Sequence, residues 1–277
     1  MRNINQLKEK GYVILSDIYT LEDIKSLRSI LSNHFKEHGI SIQEGKAQPN
    51  ALLHVPELKT YIFNDKIIKS LRELLGDEQL MFTFHSDIHK SLKSGWHKDD
   101  GTSRGTGYFG EYTYDFEDCQ VIKLGVYLQN HYNNRGGLVV RPGSHRKKEL
   151  TFGKDEYVPT RVGDVVAFDV RLNHTGQIEP TPHPFLNKMI RKLHINPKKA
   201  KWLSDKLFGE RYALFFTYGR NNHFTTAFSK GNMERQELQT GGQISISTDL
   251  DRVLQEKELL SPFKDLLESY ENTQNNS

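Results

Sequence analysis

The sequence predicts a mainly β protein dressed with helices, of the sandwich or jelly-roll kind. Three observations lead there. After residue 79 the apolar period changes from about 3.6 to 2. The β-rich runs that follow, such as "LMFTFHSDIHK", "CQVIKLGVYLQN" and "RYALFFTYG", are separated by turn signals such as "NNRGG", "RPGS" and "RVGD". Amphipathic helices precede these runs and do not alternate with them, so the strands come in series around one core.

Taken in chain order, "GYVIL" (11–15) reads as a short buried strand of aromatic and β-branched residues. Thr20 caps the helix that follows, with acids in its first turn. Ile24, Leu27, Ile30, Leu31 and Phe35 form its apolar stripe, and Gly39 ends it. A second helix runs between Asn64 as cap and Gly76 as stop. "GGLVVRPGSH" and "YVPTRVGDVVAFDV" add strands to the three runs above. Two helical stretches come last, "DLDRVLQEKELL" and "SPFKDLLESY", the second with Pro262 just inside its start. No repeat or linker divides the chain, so one domain is expected over 1–277. Its parts are an N-terminal strand and helices (1–78), a jelly-roll core (79–220) with a basic insertion (178–210), a helical region (221–270) and a disordered tail (271–277).

Composition narrows the function. With 36% hydrophobic and 26% charged residues in 277, the chain can bury a sizeable core. A net charge of +3 lacks the concentrated basic footprint of a nucleic-acid binder. Cys119 is the only cysteine, which excludes an internal disulfide framework and fits a reducing compartment. The first apolar run, "YVIL", is too short for a signal-peptide core, and none approaches the roughly 18 residues of a membrane span. The expected location is cytoplasmic.

"GWHKDDG" (95–101) raises the question of a metal site. In an extended segment His97 and Asp99 point to one side. His174 follows the apolar strand of "VGDVVAFDVRLNHTGQ", 77 residues beyond His97, and supplies a third ligand. Two histidines and one carboxylate on one face leave three positions open, the arrangement suited to non-haem Fe(II) and O2 chemistry. Two alternatives stay open. His85, Asp87 and His89 share one strand face, although a row about 13 Å long converges poorly on one ion. That row is better placed to line a pocket, with His85 and Asp87 as candidate substrate contacts. His145, after a Pro-Gly turn, reads as a turn histidine bonded to nearby backbone.

These segments resemble the phytanoyl-CoA dioxygenase-like Fe(II)/2-oxoglutarate oxygenases. "EKGYVILSDIYTLEDIKSLRSIL" is similar to their first strand and helix. "GWHKDD" resembles their ligand segment, and "KLGVYLQNHYNNRGGLVVRPGSH" their central signature. "VGDVVAFDVRLNHTGQ" is like the distal-histidine region and "RYALFFTYG" like the last core strand, so that roughly residues 5–220 are covered. The resemblance implies a double-stranded β-helix, or cupin-like jelly roll. It implies His97, Asp99 and His174 as iron ligands, and Arg211 as the anchor of the 2-oxoglutarate carboxylate. A guanidinium fork matches a carboxylate better than an ammonium does. Arg211 lies 37 residues beyond His174, farther than relatives place it, and Arg191 and Lys192 are nearer. Lys123, on the strand face opposite Ile122, Leu124, Val126 and Leu128, is a further anchor. Tyr127 and Gln129 share its face and are candidate substrate contacts, and Thr175 is a candidate hydroxyl donor to the co-substrate.

The implied reaction consumes O2 and 2-oxoglutarate, releases succinate and CO2, and hydroxylates a small molecule. Family members that halogenate have a small residue in place of the ligand carboxylate, so Asp99 favours hydroxylation. Asp100 should point to the opposite face. The Gly-rich loop over 101–118, with Tyr108, Phe109, Tyr112 and Tyr114, is expected to cover the pocket. "NKMIRKLHINPKKAKWLSDK" carries seven basic residues against Asp205, a solvated basic face or an attractor of an anionic substrate, and Trp202, Leu203 and Leu207 either pack a short helix there or touch a membrane surface. The other function class is a non-catalytic jelly-roll binding module, or a cupin-like barrel with a different metal.

Overall fold

The computed structural model describes residues 2–42, 45–132, 136–176, 181, 183–240 and 248–262. The chain begins with α1 (Arg2–Lys10) and β1 (Tyr12–Leu15), then α2 (Leu21–Glu37) and the hairpin β2 (Ile40–Ile42) and β3 (Gly45–Gln48). Two single-turn helices, α3 (Ala51–His54) and α4 (Lys59–Ile62), lead to α5 (Asp65–Leu75). The β core holds β4 (Met81–Lys90), β5 (Val121–Tyr127), β6 (Leu138–Val140), β7 (Glu156–Tyr157), β8 (Val165–Asp169) and β9 (His174–Gly176). The helices α6 (Pro184–Lys192) and α7 (Pro197–Phe208) come before β10 (Tyr212–Gly219), and α8 (His223–Thr240) and α9 (Thr248–Glu256) follow it.

The helix ends follow their sequence signals. Thr20 and Asp23 form a reciprocal capping box at the start of α2. Asn64 accepts from Lys66 N–H to open α5, and Gly76 closes it in the left-handed conformation at φ +62°. Ile67, Ile68, Leu71, Leu74 and Leu75 fill the buried stripe of α5, each stabilising the fold by roughly 1.5–3 kcal/mol.

The large sheet is antiparallel, in the order β1-β8-β5-β10-β4-β3-β2, and faces a small sheet β7-β6-β9. This is a jelly roll with helices outside. Period-two alternation decides which residues face which layer. Ile122, Leu124 and Val126 join the core under α2 and α5, while Tyr127, Val166 and Phe168 pack inside the barrel. Lys123 therefore points inward, as its strand face predicts. Phe84 breaks this alternation: it sits at φ +62°, and the register with β10 shifts between Phe216 and Tyr218.

α8 lies outside the two helical stretches that the sequence predicts, because its buried face is polar apart from Phe228. Thr225, Ser229, Asn232 and Gln236 are each at most 2% exposed, so there is no apolar stripe to detect. α9 lies where the first of those stretches was expected. The second one beyond Pro262, the tail 271–277 and the tip of the 133–137 turn lie outside the described residues.

Candidate metal centre

β8 ends at Asp169, the chain turns through residues 170–173, and His174 opens β9. The segment carrying His97 runs antiparallel to that strand. His97 and His174 exchange both backbone hydrogen bonds at 3.0 Å, and Asp99 N–H donates to the Val170 carbonyl at 2.8 Å. Alternation then turns His97 and Asp99 toward His174. His174 Nε2 lies 3.3 Å from Asp99 Oδ2, and His97 Nε2 lies 3.8 Å from Asp99 Oδ1. One donor atom from each residue falls within 4.8 Å of the others, so the three can hold one metal ion.

The protonation pattern suits a metal. His97 Nδ1 is 2.7 Å from the Gly95 carbonyl, and His174 Nδ1 is 3.0 Å from the Leu172 carbonyl. Carbonyls only accept, so each Nδ1 donates its proton there, which leaves each Nε2, on the Asp99 side of the ring, available to a metal ion. Burial, with His174 alongside, lowers the His97 pKa to about 4 and keeps its imidazole neutral. Burial alone would push Asp99 up. The Lys123 ammonium outweighs it, with help from His174 and His97, and holds the carboxyl well below its usual range. Lys123 Nζ donates to Asp99 Oδ2 at 2.9 Å.

A buried polar frame fixes these backbones. Lys98, 4% exposed between His97 and Asp99, donates to the Ser144 carbonyl at 2.8 Å and to the Arg171 carbonyl. Arg171, 1% exposed, forks onto Asp169 at 3.0 and 2.7 Å and donates to the Phe116 carbonyl at 2.8 Å. Asp100 points away from the cluster and accepts from Thr102 and Tyr114. His145 stands apart from the His97, Asp99 and His174 cluster. Its Nε2 meets the Lys8 carbonyl at 3.2 Å, so its backbone partner comes from α1, far in sequence, and not from its own turn.

A cavity of about 90 Å³ opens beside His97 and His174, lined also by His89, Lys123, Tyr127, Gln129, Phe215 and Arg211. Arg211 immediately precedes β10 and is 7% exposed. Burial lowers its pKa to about 10, which leaves it cationic at neutral pH. The 37 residues between His174 and Arg211 are an excursion through α6 and α7 that returns to the same cavity. Arg191 and Lys192 lie at the exposed end of α6, away from the cavity wall.

Three expectations need correction. Thr175 lies on the opposite face of β9 from His174, and its hydroxyl donates to the Ser94 carbonyl at 2.6 Å. His85 and Asp87 do not line the cavity. They pair at 3.2 Å, with Thr217 on His85 Nδ1 and Gln236 on Asp87, because α8 covers this end of the row. Only His89 of that row reaches the cavity. The loop 101–118 is not over the cavity either. Tyr108 packs edge-on against Phe228 of α8, Phe109 and Phe116 pack against Phe224, and Tyr112 is 66% exposed. Lys93, Ser94 and Phe215 also line the cavity, and the inward register of Ala213, Phe215 and Thr217 in β10 is the sequence signal for Phe215.

Comparison with known proteins adds the family. The family model described as phytanoyl-CoA dioxygenase matches residues 7–183. No curated protein sequence matches the chain. Among solved structures, the non-haem α-ketoglutarate-dependent epimerase SnoN of nogalamycin biosynthesis is 14% identical, with a TM-score of 0.57 over 79% of this chain and 81% of its own. HygX from Streptomyces hygroscopicus, solved with nickel and 2-oxoglutarate, is 14% identical, with a TM-score of 0.57 over 79% and 87%. EctD from S. alaskensis, solved with 2-oxoglutarate and 5-hydroxyectoine, is 18% identical, with a TM-score of 0.54 over 79% and 75%. At these identities the likeness is one of fold.

Proposed function

This chain belongs to the phytanoyl-CoA dioxygenase family, and from that we propose that it is an Fe(II)- and 2-oxoglutarate-dependent oxygenase, a single domain that hydroxylates a small molecule and releases succinate and CO2. One observation carries the reading: His97, Asp99 and His174 bring three donor atoms within 4.8 Å of one another, and His97 and His174 line the same cavity as the buried Arg211. His97 and His174 would bind the iron through Nε2, and Asp99 through a carboxylate oxygen. Arg211 would take the far carboxylate of 2-oxoglutarate, since a buried guanidinium gains most from a bidentate anionic partner. Lys123 orients Asp99 from the cavity side and adds a second positive group for a dicarboxylate. Bound there, iron with 2-oxoglutarate would supply the activation of O2 and the oxidation of a substrate C–H bond.

Asp99 closes the position that a halogenating relative leaves open, which supports hydroxylation. Screening small molecules for succinate release under air, with Fe(II) and 2-oxoglutarate supplied, tests the whole reading. The expected hit gains one oxygen atom for each succinate formed. A product of unchanged mass but altered stereochemistry would point to epimerisation, the reaction for which SnoN is named. A compound that binds tightly while 2-oxoglutarate stays unconsumed would favour the binding module.

A further inference from the structure

Amphipathic helices on a globular protein turn their large apolar side chains inward; α6 and α7 turn most of theirs outward. They bury Asn187, Ile190, Ala200 and Ser204. Outward they present Phe185 at 71% exposure, Leu193 at 61%, Trp202 at 61% and Leu207 at 58%, with Met189 and Phe208 beside them. The His183 ring lies 4.8 Å from Phe208, which joins the start of α6 to the end of α7, so these side chains belong to one helical pair.

The charge of the pair is as uneven as its apolar surface. Residues 183–208 carry seven lysines and arginines against one acid, a net of +6. The whole chain is +3, so everything outside this pair is net −3. Lys188, Lys192, Lys198 and Lys199 are exposed around the apolar residues, and Lys206 Nζ lies 5.3 Å from the Trp202 ring centroid. Exposed Trp, Phe, Leu and Met ringed by lysine is the chemistry of a helix lying in a lipid headgroup layer, with rings and alkyl chains entering the acyl boundary and ammonium groups meeting phosphates. A nucleic acid would neutralise the charge but offer no place for Leu193, Leu207 and Met189.

We propose that α6 and α7 form a docking surface for membranes that contain anionic lipid. Ser91 Oγ, on the cavity rim, donates to Asp205 of α7 at 3.4 Å, so the docking face lies beside the cavity. Docking does not depend on which molecule the enzyme oxidises.

Flotation of the full chain with phosphatidylcholine vesicles, with and without phosphatidylserine, tests this. Anionic vesicles should capture at least about tenfold more protein than neutral ones, and molar salt should release it. The variant K188Q/K192Q/K198Q/K199Q should lose that tenfold preference while keeping the wild-type thermal midpoint. Phosphatidylserine vesicles with brominated acyl chains should quench wild-type tryptophan emission and leave the Trp202→Phe variant, which retains Trp96, unquenched. Equal capture of the lysine variant, or quenching that persists in Trp202→Phe, overturns the proposal. So does wild-type protein that stays off both kinds of vesicle and self-associates in sedimentation, which would mean that another protein chain covers the face.

Discussion

His97 and His174 are oriented by a shared device: each donates Nδ1–H to a backbone carbonyl two residues earlier, which turns the Nε2 of each toward Asp99 and leaves it available to a metal ion. Replacing any of the three candidate ligands should abolish succinate release. In His97→Ala, Asp99→Ala and His174→Ala, added Ni(II) should no longer raise the thermal midpoint, while each apo protein still melts cooperatively. Loss of the metal effect in His145→Ala instead, with these three unaffected, would show the assignment to be wrong. Arg211→Gln should leave metal binding intact and weaken 2-oxoglutarate by roughly 10- to 150-fold, the equivalent of about 1.5–3 kcal/mol for a charge-assisted contact. If Lys123→Met alone reproduces that loss, Lys123 and not Arg211 is the anchor. His89 yields a pH prediction. Burial lowers its pKa to about 4, with smaller effects from neighbouring charges. The unfolded chain binds this proton near pH 6.5 and the folded one near 4, so stability is full above about 6.5 and falls as pH drops toward 4. His89→Asn should flatten that part of the thermal-midpoint profile; an unchanged slope would assign it to other groups.

At the scale of elements, the turn between β8 and β9 leads directly into His174, and the Asp169–Arg171 pair at its start is almost wholly buried. Arg171→Met should cost about 3–5 kcal/mol in denaturant unfolding, because Asp169 would be left buried without its partner. The double variant D169L/R171M should recover much of that loss. A single variant within 1 kcal/mol of wild type would show that water already screens the pair. Arg171 also ties down the carbonyls of Thr113, Phe116 and Asp118. Amide exchange over 101–118 should therefore be slow and unaffected by iron and 2-oxoglutarate. The elements differ in how much they announce themselves in sequence. α2 and α5 are legible because Thr20, Asn64 and Gly76 are local signals next to an apolar stripe. The loop's packing is not, since its partners lie on α8, and α8 buries threonine, serine, asparagine and glutamine where a stripe would be sought.

Over the whole molecule, the site is assembled from three distant segments, and topology decides which of their signals can be read. His97 and Asp99 are legible because strand alternation is local, and His174 because it follows an apolar strand. Arg211 is legible only through the strand it opens, since α6 and α7 separate it from His174. The inactive-looking end of the His85-Asp87-His89 row is not legible. Phe84 distorts β4 just before it, and α8, packed across from the far end of the chain, supplies the Gln236 that occupies Asp87. The central claim is that one cavity binds iron and 2-oxoglutarate together. Anaerobic addition of Fe(II) and then 2-oxoglutarate, followed by visible absorption, tests it most directly. A weak charge-transfer band should develop only when both are present, saturate at one equivalent of each, and be absent in His174→Ala. Tight Fe(II) binding with no band at saturating 2-oxoglutarate would contradict the account.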